Sequence, residues 1–215
     1  MSTPSARLKA RETHAGHPLF VRVSHWVNAF VMLVMILSGW RIYNASPLFP
    51  FRFPQEFTLG GWLAGAIAWH FAAMWLLVGN GLVYLVYSLL SGHFRRDFLP
   101  IAPGLAWRDL RLASQGRLPH VPGRYNAVER LIYIGVVLVS ILAVISGLAI
   151  WKPVQCQEIT ALMGGFESAR LMHFFTMVGL VLFLVVHVTL AMRTPGLVKA
   201  MIRSRAPPAD NETPR

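Results

Sequence analysis

The run A-R-L-M-H-F-F-T-M-V-G-L-V-L-F-L-V-V-H-V-T-L-A-M, Ala169 to Met192, sets the terms for the whole chain. It is apolar throughout except for one arginine, two threonines and two histidines, His173 and His187, which stand fourteen positions apart. A run of this length and polarity is a membrane-spanning helix. At 100° per residue, fourteen steps return to within about 40° of the starting direction, so both imidazoles leave one face. Along the axis they are ~21 Å apart, against a hydrocarbon thickness of about 30 Å, so one ring lies toward each side of the membrane. Such a helix suits a post shared by two prosthetic groups held at two levels. That arrangement requires one further histidine at each level. For either histidine alone, a hydrogen bond to a neighbouring helix is the competing explanation.

The composition agrees with a membrane protein. Of 215 residues, 55% are hydrophobic and only 13% charged, which no soluble surface accommodates. The formal net charge of +11 does not indicate a nucleic-acid binder, because the apolar runs leave no folded polar face on which to gather it. The single cysteine, Cys156, excludes an internal disulfide, and the absence of C-x-x-C-H excludes covalently attached haem. Any haem is therefore held by side chains alone. Arg7, Lys9 and Arg11 precede the first apolar run, but that run is too long for a cleaved signal and lacks a small-residue cleavage pattern, so it reads as a retained span.

Three more apolar runs complete an all-α, four-transmembrane-helix bundle. The first is Leu19 to Tyr43, with Arg22 and His25 in its opening turns and Trp26, Trp40 and Tyr43 as interfacial aromatics. The second, Trp62 to Leu90, carries His70 and a G-x-x-x-G at Gly61 and Gly65, a weak sign of close helix approach. The third, Val128 to Trp151, has no histidine. It ends V-I-S-G-L-A-I-W where the first ends M-I-L-S-G-W-R-I-Y, and W-H-F at 69–71 matches M-H-F at 172–174, which hints at two related hairpins. Residues 1–18 and 204–215 are expected to be disordered, leaving 19–203 as the membrane domain. Within the polar stretch 91–124, Leu105 to Ala113 has the spacing of a short helix in the headgroup layer. The connection 44–60 combines Pro47, Pro50 and Pro54 with four phenylalanines and suits the bilayer surface or a partner.

Charge orients the bundle. Of the 20 Lys and Arg, only Arg41, Arg52, Lys152 and Arg170 fall on the side of the 44–60 and 152–168 connections. The other sixteen flank the termini and the middle connection, which places both termini in the cytoplasm. His25 and His187 are then both near the inner side, and His70 and His173 both in the outer half. Two pairs matched in depth fit two bis-histidine haems. Zinc is the competing metal, but it wants about four ligands at one point. A proton relay competes too, although Glu129, at the start of the third span, is the one Asp or Glu inside a span. His14, His17, His93 and His120 lie outside the spans and read as ordinary solvated residues. Arg22 and Arg193 are placed to meet the propionates of the inner haem, and Arg41 and Arg170 those of the outer, with interfacial snorkelling as the alternative. Gly39, fourteen residues after His25, is placed to face the outer haem.

G-H-P-L-F-V-R-V-S-H-W at 16–26, W-H-F in the second span and the paired histidines of the fourth resemble the bacterial cytochrome b561 superfamily over residues 16–203. That group includes small quinone-linked cytochromes b and the b-type subunits of nickel-iron hydrogenase, formate dehydrogenase and thiosulfate reductase. The resemblance implies two b-type haems on His25, His70, His173 and His187, in a bacterial inner-membrane protein that passes electrons between quinone and a redox partner. The expected function is electron transfer between the quinone pool and a periplasmic oxidoreductase subunit or carrier. A stand-alone superoxide:quinone oxidoreductase and a haem-free anchor or transporter subunit are the alternatives.

Overall fold

The structure, a computed structural model, describes residues 19–90, 103–115, 127–193, 198 and 201–202. The segments 1–18 and 204–215, and His14, His17, His93 and His120, lie outside the described residues. Four long helices are apolar and long enough to cross a membrane: α1 (Leu19–Ala45), α2 (Leu63–Leu90), α4 (Ala127–Trp151) and α6 (Phe166–Arg193). α1, α4 and α6 contain their expected spans and run past them by up to three residues, because the interfacial turns continue the helix beyond the apolar stretch, whereas α2 starts at Leu63, one residue inside the expected start at Trp62, after the Gly60-Gly61 turn. Two short helices accompany them, α3 (Pro103–Ser114) over the expected headgroup segment and α5 (Gln157–Leu162) inside the 152–168 connection. No strand occurs among the described residues.

Large apolar side chains cover the outside of the helices, among them Leu76, Leu82, Leu138, Leu182 and Val185, all more than half exposed. In water such a surface would aggregate; in a bilayer it is the lipid-facing wall. Trp26, Trp62, Trp107 and Trp151 sit near helix ends or on α3, where indoles favour the membrane interface. The multi-pass helical bundle is therefore a membrane protein.

The interior is built in two hairpins. α1 packs on α2 around Val31, Val34 and Ala73, and α4 packs on α6. Asn80 clamps the first hairpin, donating to the Ser24 carbonyl at 3.0 Å and to the Asn28 side-chain oxygen at 2.8 Å. At the start of α4, the Ala127 N–H donates to the Asp109 carboxylate at 3.0 Å, so α3 caps a helix end whose first amides have no partner within the helix.

Both returning helices begin after a Gly-Gly pair with positive φ, Gly60-Gly61 before α2 and Gly164-Gly165 before α6. The second pair closes α5 as a Schellman motif, Gly164 N–H bonding the Ala161 carbonyl and Gly165 N–H the Thr160 carbonyl. The first pair corrects the sequence reading of Gly61 and Gly65. A Cβ on Gly65 would meet the Gly60 carbonyl of the same turn, while Gly61 has nothing within 4 Å. The motif serves a tight turn.

Candidate functional site

The four candidate histidines come together as two pairs. His70 is seven residues after the first residue of α2 and His173 seven after the first of α6, so they share a depth near the end that bears the two connections. Their ring centres are 6.4 Å apart. His25 is six residues into α1 and His187 six before the last residue of α6, near the end that bears the termini, with ring centres 6.0 Å apart. A metal ion bonded at about 2.0–2.1 Å to one nitrogen of each ring puts the ring centres about 6.3 Å apart if the rings lie on opposite sides, and about 5 Å apart at a tetrahedral angle. Both observed separations match the opposed arrangement. No group of three or more His, Cys, Asp or Glu side chains gathers among the described residues.

Around the connection-end pair the two hairpins repeat each other. Ser38 and Ser146 are fully buried and lie 3.0 and 3.2 Å from Nδ1 of His70 and His173. The glycine after each serine faces the same ring. A Cβ on Gly39 would stand 3.4 Å from His70 Cε1, and one on Gly147 3.2 Å from His173 Cε1. Ala66 and Ala169, four residues before each histidine, are wholly buried. The phenylalanine after each histidine packs on the aromatic residue near the end of the opposite hairpin's first helix: Phe71 on Trp151 at 4.8 Å, and Phe174 on Tyr43 at 5.3 Å. The sequence hint of related hairpins thus corresponds to matching contacts. Ser38 and Ser146 are the site residues that sequence reasoning did not single out; the paired S-G dipeptides were the available signal.

The terminus-end pair is set differently. His187 lies against Phe183 at 5.6 Å, and His25 meets Trp26 edge-on at 5.6 Å. The Trp26 indole N–H donates to the Met201 carbonyl at 3.1 Å. The arginines divide into two kinds. Arg22 donates to the carbonyls of Met201 and Ile202, and Arg170 pairs with Glu167 at 2.9 Å and donates to the Ser46 carbonyl at 2.7 Å. Arg41 and Arg193 have no hydrogen bond or ion pair among the described residues.

Above the connection-end pair, the phenylalanines of the 44–60 segment form an aromatic cluster. Phe53 stacks on Trp40 at 4.6 Å and Phe49 packs on Phe174 at 5.2 Å. Asn44 fixes the segment by accepting from Phe53 N–H at 2.9 Å and donating to its carbonyl at 2.8 Å. Phe51 and Phe57 remain exposed.

A family profile described as prokaryotic cytochrome b561 matches residues 16–204. The chain belongs to that family. "Putative protein-methionine-sulfoxide reductase subunit YedZ1" of Azospira oryzae is 45% identical over 195 residues, covering 90% of this chain and 98% of the relative. The cytochrome b556 subunit of an Escherichia coli formate dehydrogenase is 22% identical over 197 residues, covering 91% of this chain and 86% of the relative. A "Probable Ni/Fe-hydrogenase B-type cytochrome subunit" of Bradyrhizobium diazoefficiens is 23% identical over 190 residues, covering 80% of this chain and 75% of the relative. No solved structure matches the chain closely enough to count as related.

Membership of the cytochrome b561 family makes this a membrane cytochrome of electron transport and implies b-type haem. The residues fit such a group. The imidazoles of each pair stand with ring centres 6.0 and 6.4 Å apart, room for a metal between them, and the two ring-facing glycines leave the backbone open where a Cβ would stand. The buried indole N–H of Trp40, next to Gly39, has no partner among the described residues and can serve an acceptor outside the protein.

Proposed function

We propose that this cytochrome carries electrons across the bacterial inner membrane through two b-type haems, His25 with His187 and His70 with His173, between the quinone pool and a periplasmic oxidoreductase subunit. The observation that carries the reading is the pair of histidine separations, 6.0 and 6.4 Å, at two depths of one shared helix. A bound haem supplies reversible one-electron chemistry at iron. The chain's own work is to hold the four imidazoles in two opposed pairs and to keep water from them with lipid-facing helices. At the membrane surfaces it must also meet the negative propionates. Of the four candidate arginines, Arg41 and Arg193 have no partner among the described residues and are placed to do so, while Arg22 and Arg170 also fasten helix ends to neighbouring segments.

The excess of sixteen Lys and Arg over four supports placing the termini in the cytoplasm and the connection-end pair toward the periplasm. The Azospira relative, matched over nearly its whole length, supports a catalytic subunit that reduces methionine sulfoxide in proteins as the partner. Electrons then run from quinol to that subunit. Each turnover consumes two electrons and two protons, converting the sulfoxide to a thioether and water. The exposed Phe51 and Phe57 beside the aromatic cluster give the partner an apolar docking surface over the connection-end pair.

The test is haem counting with assignment. Pyridine haemochrome analysis of the purified protein should give two haems b per chain. His70→Ala should remove one spectral component and His25→Ala the other. A count of one, or loss of the same component in both variants, overturns the reading.

A further inference from the structure

We propose that Ser38 and Ser146 are positioning residues: they fix the proton and the orientation of His70 and His173, and through these rings set the redox potential of the haem held there. The inference rests on the reading that these two histidines ligate one haem, and it adds residues that the ligand set alone does not contain.

The argument begins with hydroxyl hydrogens. Ser38 Oγ lies 2.6 Å from the Val34 carbonyl and 3.3 Å from that of Met35; Ser146 Oγ lies 2.7 Å from the Leu142 carbonyl and 3.1 Å from that of Ala143. Carbonyl oxygens only accept, so each serine's single hydrogen is committed to its own helix. What each Oγ has left for the imidazole is a lone pair. The contacts at 3.0 Å to His70 Nδ1 and 3.2 Å to His173 Nδ1 therefore require that the ring nitrogen donate. At His173 the Ala143 carbonyl, 2.9 Å from Nδ1, imposes the same assignment. Both rings consequently carry their proton on Nδ1, and Nε2 is left with the lone pair a metal needs.

Position reinforces the assignment. Ser38 and Ser146 are fully buried, where an unused hydroxyl is costly, so neither is free to turn toward water. Gly39 and Gly147 hold the same rings from the next residue, leaving each imidazole seated between a hydrogen-bond acceptor and bare backbone. The kit occurs once in each hairpin, so the two opposed ligands of one site are conditioned alike. His187, the ligand candidate that α6 supplies at the other level, has no hydrogen bond among the described residues.

A hydrogen bond from Nδ1–H to an acceptor raises the ring's basicity as a ligand and favours the more positive, oxidised metal. Deleting the hydroxyl should therefore raise the potential of the connection-end haem. The experiment is a redox titration of the purified holoprotein and its Ser38→Ala and Ser146→Ala variants, with haem counted in each. The expected result is two haems per chain and an upward shift of one midpoint, that of the component lost in His70→Ala. At fixed potential the shift should increase the reduced-to-oxidised ratio roughly three- to tenfold, where tenfold is about 59 mV for one electron. The other midpoint should not move. Ser38→Thr, which keeps the hydroxyl, should restore the native value. Ser38→Cys, similar in size but a weak acceptor, should shift in the same direction by less, and it provides the measurement if an alanine variant fails to load haem. Unmoved midpoints in the alanine and cysteine variants, or equal shifts of both haems, overturn the serine proposal. A wild-type count below two instead overturns the ligation reading on which it rests.

Discussion

Adding one methyl group at Gly147 should measurably weaken one haem. The new Cβ would stand 3.2 Å from His173 Cε1 and 3.6 Å from Nδ1, whereas carbon atoms rest about 3.5–4.0 Å apart. The shortfall is a few tenths of an ångström. The ring cannot simply swing away, because Nδ1 is tied to the Ala143 carbonyl at 2.9 Å and to Ser146 Oγ at 3.2 Å. A ligand constellation tolerates displacement of only about 0.5 Å, so the strain falls on the metal bond or on these hydrogen bonds. Overpacking of this kind costs about 1–3 kcal/mol, which corresponds to roughly 5- to 150-fold weaker haem binding. Gly39→Ala should do less, since its Cβ would meet His70 Cε1 at an ordinary 3.4 Å. Gly147→Val, whose branched carbons project further toward the ring, should leave the site without haem. The assay is haem titration of the apoprotein, followed by the spectral component assigned with His70→Ala. A Gly147→Val protein that binds two haems with native affinity, or a Gly39→Ala protein weaker than Gly147→Ala, would refute the view that these glycines seat the ligand rings.

Charge supplies a second test. Arg41→Gln should lower the midpoint of one haem, because removing a nearby positive charge disfavours the electron-rich state; Arg170→Gln, whose guanidinium is already bound to Glu167 and Ser46, should leave both midpoints in place. At the proposed docking surface, Phe51→Ser should slow haem oxidation by the proposed periplasmic partner with an unchanged haem spectrum, as measured by stopped-flow mixing. Phe53→Ser should also disturb the spectrum, since Phe53 stacks on Trp40 beside Gly39. If neither variant slows the partner while changes within 91–124 do, docking belongs to the opposite face.

The spans and the histidine pairs were legible for the same physical reason. A bilayer forces long, uninterrupted apolar runs, and within them a polar side chain stands out and its depth can be counted. His25 and His187 could thus be matched before any coordinates, and so could His70 and His173. The connections obey no such rule. α5 is only six residues long, and its place depends on Thr160 donating to the Ala149 carbonyl and on the Gly164-Gly165 closure, neither of which has a periodic signature. Serines escaped notice because a hydroxyl within a membrane helix usually bonds its own backbone; only the packing of the returning helix reveals that Ser38 and Ser146 also meet an imidazole. Asn80 was overlooked for a related reason, since nothing in its own run points to Asn28 more than fifty residues earlier. The sequence likewise could not show which phenylalanines of 44–60 turn inward.

The division into hairpins bears on how the protein is made. α1 grips α2 and α4 grips α6 far more extensively than either pair grips the other; between the pairs stand the histidine rings, the aromatic cluster and the Arg170–Ser46 bond. Translation is therefore expected to deliver two self-contained halves to the bilayer in succession. On the proposed ligation haem acts as the rivet between them, and its supply, rather than chain synthesis, becomes the committing step of biogenesis. Cells starved of haem should clear this chain by membrane proteolysis, so its abundance becomes a gauge of porphyrin supply.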